Sequence, residues 1–277
     1  MQISFKNKKP TLYIVSTPIG NLEDITFRAI KILNEVEVVF AEDTRVSKKL
    51  FNYYNINTKL ISYYEERKYE KIENVLDYLK QGKDVALISD AGTPGISDPG
   101  FELINKVIES DYYVVSIPGV SAATTALTTS GLLMQPHLFV GFLPRKQNEI
   151  KQALLNMSEI EATLIFYESP NRVNKTLEHL FSVLGDRKVV LARELTKLYE
   201  SINRTTLGLA VLEEQINKGE YVILVEGYQK EEIINPDIKE YVSKYIKLGN
   251  NEKEAMRLAA KELNISRREV YQKYKID

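Results

Sequence analysis

The sequence predicts two α/β domains followed by a small helical unit. Residues 11–131 alternate short apolar segments, typical of buried strands, with amphipathic segments that are typical of helices. A second series of strand and helix patterns follows a break near residue 135. After Gly227 the strand pattern ends and helical patterns remain. We therefore place the domain boundaries at residues 1–135, 136–228 and 229–277.

The first domain is predicted to contain a mostly parallel sheet, because strands that are separated by helices pair through right-handed crossovers. An early helix is expected to begin at Asp24, which is a good N-cap residue. A later helix is expected to begin at Asp98-Pro99, since proline is favoured at the first helical position. The segments that we assign to strands are residues 12–15, 36–40, 60–62, 84–88 and 112–117.

The second domain is predicted to open with a strand at residues 137–144. Ser169-Pro170 is expected to cap a helix that continues through Leu180. The other segments that we assign to strands are residues 162–166, 188–192, 200–207 and 221–226.

The C-terminal unit is predicted to consist of three helices, the first of which opens at Asn235-Pro236. The turn at residues 264–266 separates two short helices and resembles a helix-turn-helix. Arg267 and Arg268 would then lie at the start of a nucleic-acid-binding helix. The same pattern fits a helical appendage that packs on the body or on a partner subunit, so both interpretations remain open.

A loop rich in glycine and proline, residues 89–100, follows the apolar segment 84–88. Ligands of α/β sheets bind where such loops leave the carboxyl ends of the strands. The loop lacks the pattern of a P-loop, and no GxGxxG follows the first strand. Taken alone, it also fits a crossover loop that uses glycine and proline only for its geometry.

Three loops are expected to meet at one edge of the first sheet, since all of them follow parallel strands. They comprise residues 17–21, 89–94 and 118–122. Each ends near a helix N-terminus, so free backbone N–H groups would point into the crevice. A ligand with carboxylate, ribose and adenine parts would suit this edge, and Asp90 could meet its ammonium group or a ribose hydroxyl.

The composition excludes several kinds of chemistry. The chain has 277 residues, no cysteine and two histidines, with a net charge of −1. Disulfides, thiolate nucleophiles and cysteine metal sites are therefore excluded, and we expect His137 and His179 to be structural or solvated rather than catalytic. No segment is apolar enough to span a bilayer, and the first residues do not resemble a signal peptide. We expect a cytoplasmic protein with no membrane partner.

Six motifs along the chain resemble those of the small-subunit ribosomal RNA 2′-O-ribose methyltransferase I family, a branch of the tetrapyrrole-methylase superfamily. The resemblance runs from about residue 11 to the C-terminus. Two positions depart from the family pattern: Val46, where histidine is frequent, and Val120, where proline is frequent. The motifs are residues 17–22, 41–45, 89–94, 141–144, 166–169 and 191–197.

The resemblance implies a fold, a cofactor and a substrate. The fold would be tetrapyrrole-methylase-like, with S-adenosylmethionine held as methyl donor in a cleft between the two α/β domains of a homodimer, and no metal. The acceptor would be a cytidine ribose in the decoding region of 16S rRNA, within the assembled small ribosomal subunit. The donor site would include Pro18, Asp90, Ala91, Gly92, Ile96, Ser97, Ser121, Ala122, Tyr167 and Ala192.

Methyl transfer from a sulfonium to a ribose hydroxyl needs alignment and help in removing a proton. Glu42, Asp43 and Arg45 form the candidate polar cluster, with a carboxylate as base and an arginine for orientation or phosphate binding. The same residues fit an Asp–Arg pair that only holds the loop. Other carboxylates compete for the role of base: Glu168, and Glu194 with Lys197.

Tyr63, Tyr64 and Tyr167 are candidates for stacking on a base that is extruded from the RNA. Two other functions remain open on the same fold. One is a methylase of tetrapyrroles or another small molecule, which would need an apolar trough and would not use Arg267 and Arg268. The other is a non-catalytic module that binds RNA and senses the donor without turnover.

Overall fold

The computed structural model describes residues 2–3, 9–63, 68–230, 237–263 and 265–275. The chain divides into two compact units, residues 1–228 and 229–277. Within the described part of the larger unit, ten strands form two five-stranded sheets. The predicted α/β class with additional C-terminal helices is confirmed.

The first sheet has the order β3-β2-β4-β1-β5, and every neighbouring pair is parallel. Its strands are β1 (Thr11–Val15), β2 (Val38–Ala41), β3 (Lys59–Ser62), β4 (Val85–Ile88) and β5 (Tyr113–Ile117). The helices of this part of the chain are α1 (Phe27–Glu35), α2 (Thr44–Tyr53), α3 (Lys68–Lys80), α4 (Phe101–Glu109) and α5 (Ala122–Ser130).

Helices cover both faces of the first sheet, as its continuous apolar strands predict. On β2, Phe40 faces the cluster that includes Leu103 of α4, and its neighbour Val39 faces the cluster that includes Leu33 of α1. Successive side chains of a strand point to opposite faces, so each central strand contributes to both clusters. Because its two faces are buried, the sheet offers its carboxyl edge as the place for a ligand.

The second sheet is mixed. Its strands are β6 (His137–Phe142), β7 (Thr163–Glu168), β8 (Lys188–Arg193), β9 (Ser201–Thr206) and β10 (Tyr221–Val225), in the order β6-β7-β10-β8-β9. Only β6 and β7 pair in parallel, and the other pairs are antiparallel. The helices that follow in sequence are α6 (Gln147–Leu155), α7 (Val173–Leu184) and α8 (Leu207–Leu212).

Helix α5 joins the two sheets, because it follows the last strand of the first sheet and packs on the second. Its buried Ala126 and Leu127 share a cluster with Val190 of β8 and Leu224 of β10. The opposite face of the second sheet packs against α6, α7 and α8. The apolar contacts of α5 therefore hold the second sheet beside the loop that leaves β5.

Three predicted helix starts are wrong. Helix α7 follows Arg172 rather than Ser169-Pro170. Helix α1 is capped by Thr26, whose hydroxyl accepts from the Ala29 N–H, whereas Asp24 ends a short 3-10 turn. Helix α4 follows Gly100, whose φ of 156° lies in the region that favours glycine. Asp98 is thereby left outside the helix.

The smaller unit contains α9 (Ile238–Lys247), α10 (Glu252–Glu262) and α11 (Arg267–Lys275). Its core includes Val242, Ala259 and Val270, one from each helix. The predicted capping bond of α11 is present, since Ser266 Oγ accepts from the Glu269 N–H at 3.1 Å. Arg267 and Arg268 are exposed. The predicted helix opening at Asn235-Pro236 and part of the predicted turn, Asn264, lie outside the described residues.

A close approach between the loops after β5 and β1 requires glycine at position 119. A Cβ atom there would lie 2.7 Å from Ser16 Cβ. We expect Gly119→Ala to lower the free energy of unfolding by about 1–3 kcal/mol, the usual cost of overpacking. Gly208→Ala is the control, because the three atoms nearest to its Cβ would all belong to the flexible side chain of Asp186, the first at 3.1 Å. If urea denaturation shows that the two variants lose the same free energy of unfolding, this account of Gly119 is contradicted.

Candidate functional site

The three predicted loops do meet at one edge of the first sheet, because β4, β1 and β5 are neighbours. Thr17 and Gly92 form an antiparallel bridge, with N···O distances of 2.8 and 3.1 Å. The hydroxyls of Ser16 and Thr93 are hydrogen-bonded at 2.8 Å. Gly92 has a φ of 78°, a left-handed conformation that suits glycine. These contacts fix the loops after β1 and β4 against each other.

A cavity of about 310 Å³, here called the first cavity, lies between these loops and the second sheet. Its volume lies in the range of small-molecule sites. It is lined by Ile19, Ala91, Gly92, Thr93, Ile96, Ser97, Asp98, Ser121, Ala122, Phe142, Tyr167, Glu168, Ser169, Pro170, Leu195, Glu220, Tyr221 and Val222.

Most of the residues predicted to bind a donor border this cavity. They are Ala91, Gly92, Ile96, Ser97, Ser121, Ala122 and Tyr167. Pro18 and Asp90 border a neighbouring cavity instead. Ala192 lines neither cavity: its side chain is fully buried in the cluster beneath α5, so it supports the wall from behind.

Tyr167 of β7 connects the second sheet to the N-terminus of α5. Its phenol oxygen accepts a hydrogen bond from the Ala123 N–H at 3.2 Å. Ser121, the N-cap residue, makes no side-chain capping bond, so the tyrosine satisfies a helix N–H that would lack a partner in the helix. Edge-to-face contacts with Phe139 and Phe142 hold the ring at centroid distances of 4.9 and 5.8 Å. Burial raises the pKa of Tyr167, so its hydroxyl stays protonated.

The sequence did not identify the part of the wall that comes from the ends of β8 and β10. Leu195, Glu220, Tyr221 and Val222 belong to it. Leu195 lies within the motif 191–197, but no local pattern marks residues 220–222, which reach the cavity only through the antiparallel insertion of β10 between β7 and β8. Asp98 was also missed as a site residue, since its position before Pro99 had suggested a helix cap.

A second cavity of about 320 Å³ lies beside the first. Three residues, Ile19, Ala91 and Glu220, line both. The other lining residues of the second cavity are Thr17, Pro18, Gly20, Leu22, Val46, Ser47, Lys49, Leu50, Ile88, Ser89, Asp90 and Lys197. Ligands bound in the two cavities would therefore meet at a common wall.

Three carboxylates cluster near the two cavities. Burial raises the pKa of Glu42, and the negative charges of Asp98 and Asp90 raise it further. Burial also raises the pKa values of Asp90 and Asp98. Asp90 borders the second cavity and Asp98 the first, whereas Glu42 lines neither. These three carboxylates therefore keep a proton to a higher pH than an isolated carboxylate does.

Asp43 and Arg45 pair with each other. Asp43 is the N-cap of α2, and its carboxylate accepts from Arg45 Nε at 3.0 Å and from Arg45 Nη2 at 2.6 Å. Hydrogen bonds from Arg45 lower the pKa of Asp43 to about 2. The Asp43 N–H donates to Asp90 Oδ1 at 3.0 Å. Asp43 is therefore a weak base, and its contacts match the interpretation of an ion pair that holds the loop.

The competing carboxylates are engaged in structural contacts. Glu168 is buried and accepts from the Ser169 N–H at 2.8 Å and from the Thr176 hydroxyl at 2.7 Å. Lys197 Nζ lies 2.8 Å from Glu194 Oε1 and 2.7 Å from Glu220 Oε2. Each of these carboxylates is thus held by at least one hydrogen bond or ion pair.

The stacking hypothesis is wrong for Tyr63, which is 1% exposed and packs with Phe40 in the core of the first sheet. Tyr64 lies outside the described residues. Tyr167 borders the first cavity, where its ring is half-buried. In the described ranges no three histidine, cysteine or acidic side chains are arranged to hold a metal ion. None of the described helices has the length and apolar character to cross a membrane.

Comparison with known proteins places this geometry in a family. The family model of the Tetrapyrrole (Corrin/Porphyrin) Methylases matches residues 11–210. Two curated proteins named ribosomal RNA small subunit methyltransferase I are similar over 99% of this chain and 98% of their own length. The one from Bacillus subtilis strain 168 is 44% identical, and the one from Streptococcus pyogenes serotype M3 is 45% identical.

The chain belongs to the ribosomal RNA small subunit methyltransferase I family. A Vibrio cholerae member of the methyltransferase I family is 44% identical over 80% of this chain and 79% of its own.

Two solved structures share the fold of this methyltransferase. The methyltransferase CobJ has a TM-score of 0.61 and 18% identity, with 79% of this chain and 94% of that chain covered. The cobalamin biosynthetic enzyme cobalt precorrin-4 methyltransferase has a TM-score of 0.60 and 20% identity, with 78% and 94% covered. The predicted family and fold are thus confirmed.

The contact between Tyr167 and Ala123 can be tested by removing one oxygen. We expect Tyr167→Phe to lower the free energy of unfolding by about 1–2 kcal/mol, because the Ala123 N–H loses its acceptor. Tyr228→Phe is the matched control, since the Tyr228 hydroxyl makes no hydrogen bond within the described residues. The measurement is urea denaturation without ligand. A Tyr167→Phe protein as stable as the control would contradict the capping role.

Proposed function

We propose that this methyltransferase transfers a methyl group from S-adenosylmethionine to the ribose 2′-hydroxyl of a cytidine in the decoding region of 16S rRNA. The substrate would be the assembled small ribosomal subunit, and the enzyme would act as a homodimer. The observation that carries the proposal is the identity of 44–45% over 99% of the chain to proteins named for the small-subunit RNA. The tetrapyrrole methylases of known structure, at 18–20% identity, support the fold alone.

The first cavity suits the donor. Its wall combines apolar groups such as Ile19, Ile96 and Leu195 with a few polar ones, the usual composition of a cofactor site. Gly92 has no side chain, so a ligand in the cavity can approach the backbone there closely. The nearest heavy atom to a Cβ at this position would be Ile19 Cγ2, at 3.6 Å. When bound, S-adenosylmethionine would supply an activated methyl group on a positively charged sulfur. Transfer of that methyl group would leave a neutral thioether, which needs no general acid.

Asp98 takes the role that the sequence had suggested for Asp90. Three carboxylates border the first cavity, but Glu168 is held by Ser169 and Thr176, and Glu220 is paired with Lys197. The carboxylate of Asp98 borders the first cavity and has a hydrogen bond from Ser89 on one side, and we assign it to the donor's ammonium group or a ribose hydroxyl. The other donor-binding residues that we propose are Ala91, Gly92, Ile96, Ser97, Ser121, Ala122 and Tyr167, with Pro18 and Ala192 in support.

The Glu42–Asp90 pair is our candidate for accepting the proton of the ribose hydroxyl. Asp90 borders the second cavity, and Glu42 lies close enough for the two charges to repel. A raised pKa makes a carboxylate a stronger base than its ordinary form, which favours proton transfer at neutral pH. Asp43 and Arg45 then act by fixing the start of α2.

The transfer assay uses labelled S-adenosylmethionine and three acceptors: small subunits that lack the modification, naked 16S rRNA and a tetrapyrrole precursor. The proposal predicts ribose-linked label at one cytidine of the assembled subunit, and none in the tetrapyrrole. Label in the tetrapyrrole would assign the chain to small-molecule methylation. Donor binding without transfer to any acceptor would contradict the proposed catalysis.

The proton-accepting pair makes a prediction about pH. The deprotonated pair is the active form, so activity falls as the pH drops through the raised pKa. We expect Glu42→Gln to lower kcat about 100-fold or more, in the range typical of a lost general base. The acidic limb of kcat/KM that Glu42 contributes should also disappear, because glutamine does not titrate.

Glu37→Gln is the control for this experiment, because Glu37 pairs with Lys83 and lines neither cavity. It should leave both kcat and the acidic limb in place. An unchanged kcat and pH profile for Glu42→Gln would contradict the role of the pair.

A further inference from the structure

We propose that the second cavity receives the acceptor nucleoside and that the solvent face of α2 binds the RNA phosphates on either side of it. The inference rests on the proposed function, since it assigns the substrate-binding part of the same site. It stands on three observations: the common wall of the two cavities, the free cation at the rim of the second cavity, and the charge pattern of α2.

The common wall places an acceptor beside the donor. Ile19, Ala91 and Glu220 border both cavities. A methyl donor in the first cavity and a nucleoside in the second would therefore approach each other across these residues without any movement of the sheets. At about 320 Å³, the second cavity falls in the usual range for small organic ligands.

The lining of the second cavity suits a nucleoside more than an apolar macrocycle. Pro18, Leu22 and Val46 offer apolar surface to a base. Asp90 has one carboxylate oxygen beyond the one that accepts from the Asp43 N–H, and that oxygen can meet a ribose hydroxyl. Lys197 uses two of its three N–H donors on Glu194 and Glu220, so one is left for a ligand.

Lys49 is the free cation at the rim. Its side chain lines the second cavity, is exposed, and makes no ion pair or hydrogen bond with the described residues. The other lysine of the cavity, Lys197, is neutralised by two carboxylates. An unpaired ammonium at the mouth of a cavity is suited to bind a phosphate of the RNA strand whose nucleoside enters that cavity.

Helix α2 continues this positive charge away from the cavity. Residues three, four, seven and eight positions apart on a helix share a face, and on α2 these are Arg45, Lys48, Lys49, Asn52 and Tyr53. All five are exposed, and α2 contains no acidic residue between Thr44 and Tyr53. Arg45 is paired with the N-cap Asp43, so Lys48 and Lys49 supply the positive charge of this face. The net charge of the whole chain is −1, so this stripe is a local feature. This polar, cationic face of α2 is suited to bind the phosphates of an RNA strand that passes the cavity.

The first test neutralises the stripe. Lys48→Gln with Lys49→Gln is compared with Lys151→Gln with Lys175→Gln, which removes the same charge from exposed lysines of α6 and α7 that line neither cavity. Affinity for small subunits is measured at several salt concentrations. Each phosphate contact of a single strand contributes about 0.7 to the slope of log K against log salt. The α2 variant should therefore lose about 1.4 of this slope, and the control should lose none.

The second test blocks the cavity. Val46 lies at its rim and is 39% exposed, so a larger side chain can be accommodated without disturbing the core. We expect Val46→Trp to lower kcat/KM for small subunits at least tenfold while the Kd for S-adenosylmethionine stays within twofold. Ile108→Trp, on the exposed side of α4, is the control and should leave both unchanged.

The outcomes separate this inference from the proposed function. Wild-type transfer with an unchanged salt slope and an active Val46→Trp protein would overturn the inference alone. Absence of wild-type transfer, with subunit binding that still depends on Lys48 and Lys49, would overturn the proposed catalysis and retain the RNA-binding surface. Absence of wild-type binding to small subunits would overturn both.

Discussion

The bridge between Thr17 and Gly92 is the contact on which the rest of the site depends. Its two backbone hydrogen bonds tie the loop after β1 to the loop after β4. Ile19 and Ala91, which follow and precede the bridged residues, thereby form the wall common to both cavities. The bridge is possible because β1 and β4 are neighbouring parallel strands and because Gly92 tolerates a positive φ.

The second sheet completes the site through two kinds of contact. Tyr167 satisfies a helix N–H at the start of α5. On the other side, the β8–β9 loop approaches the β1 loop: Thr196 Oγ1 accepts from the Asn21 N–H, and a Cβ on Gly20 would lie 2.5 Å from Lys197 Cγ. Two different halves of the chain thus form one pair of cavities, and the donor and acceptor that we propose would be held there at a fixed distance.

The convergence of the three loops could be predicted, because parallel strands joined by helices bring their carboxyl ends to one edge. The contribution of β10 could not, because antiparallel order in the second sheet leaves no mark on that segment, whereas the motif 191–197 does mark the end of β8. Asp98-Pro99 has the sequence of a helix start, yet the close packing around Gly100 delays α4, and Asp98 becomes a cavity residue. Local propensity also cannot tell Glu42 from Asp43: burial and the charges of Asp98 and Asp90 raise the pKa of Glu42, whereas hydrogen bonds from Arg45 lower that of Asp43.

The central claim is that the methyl donor lies between the two sheets, against the bridged loops. Hydrogen–deuterium exchange with and without S-adenosylmethionine tests it directly on the intact protein. The account predicts slower exchange at residues 17–21, 89–98 and 118–123, and at the end of β7, with no change in α9–α11. Protection confined to the C-terminal helices, or absent from all three loops while the donor is bound, would contradict the account.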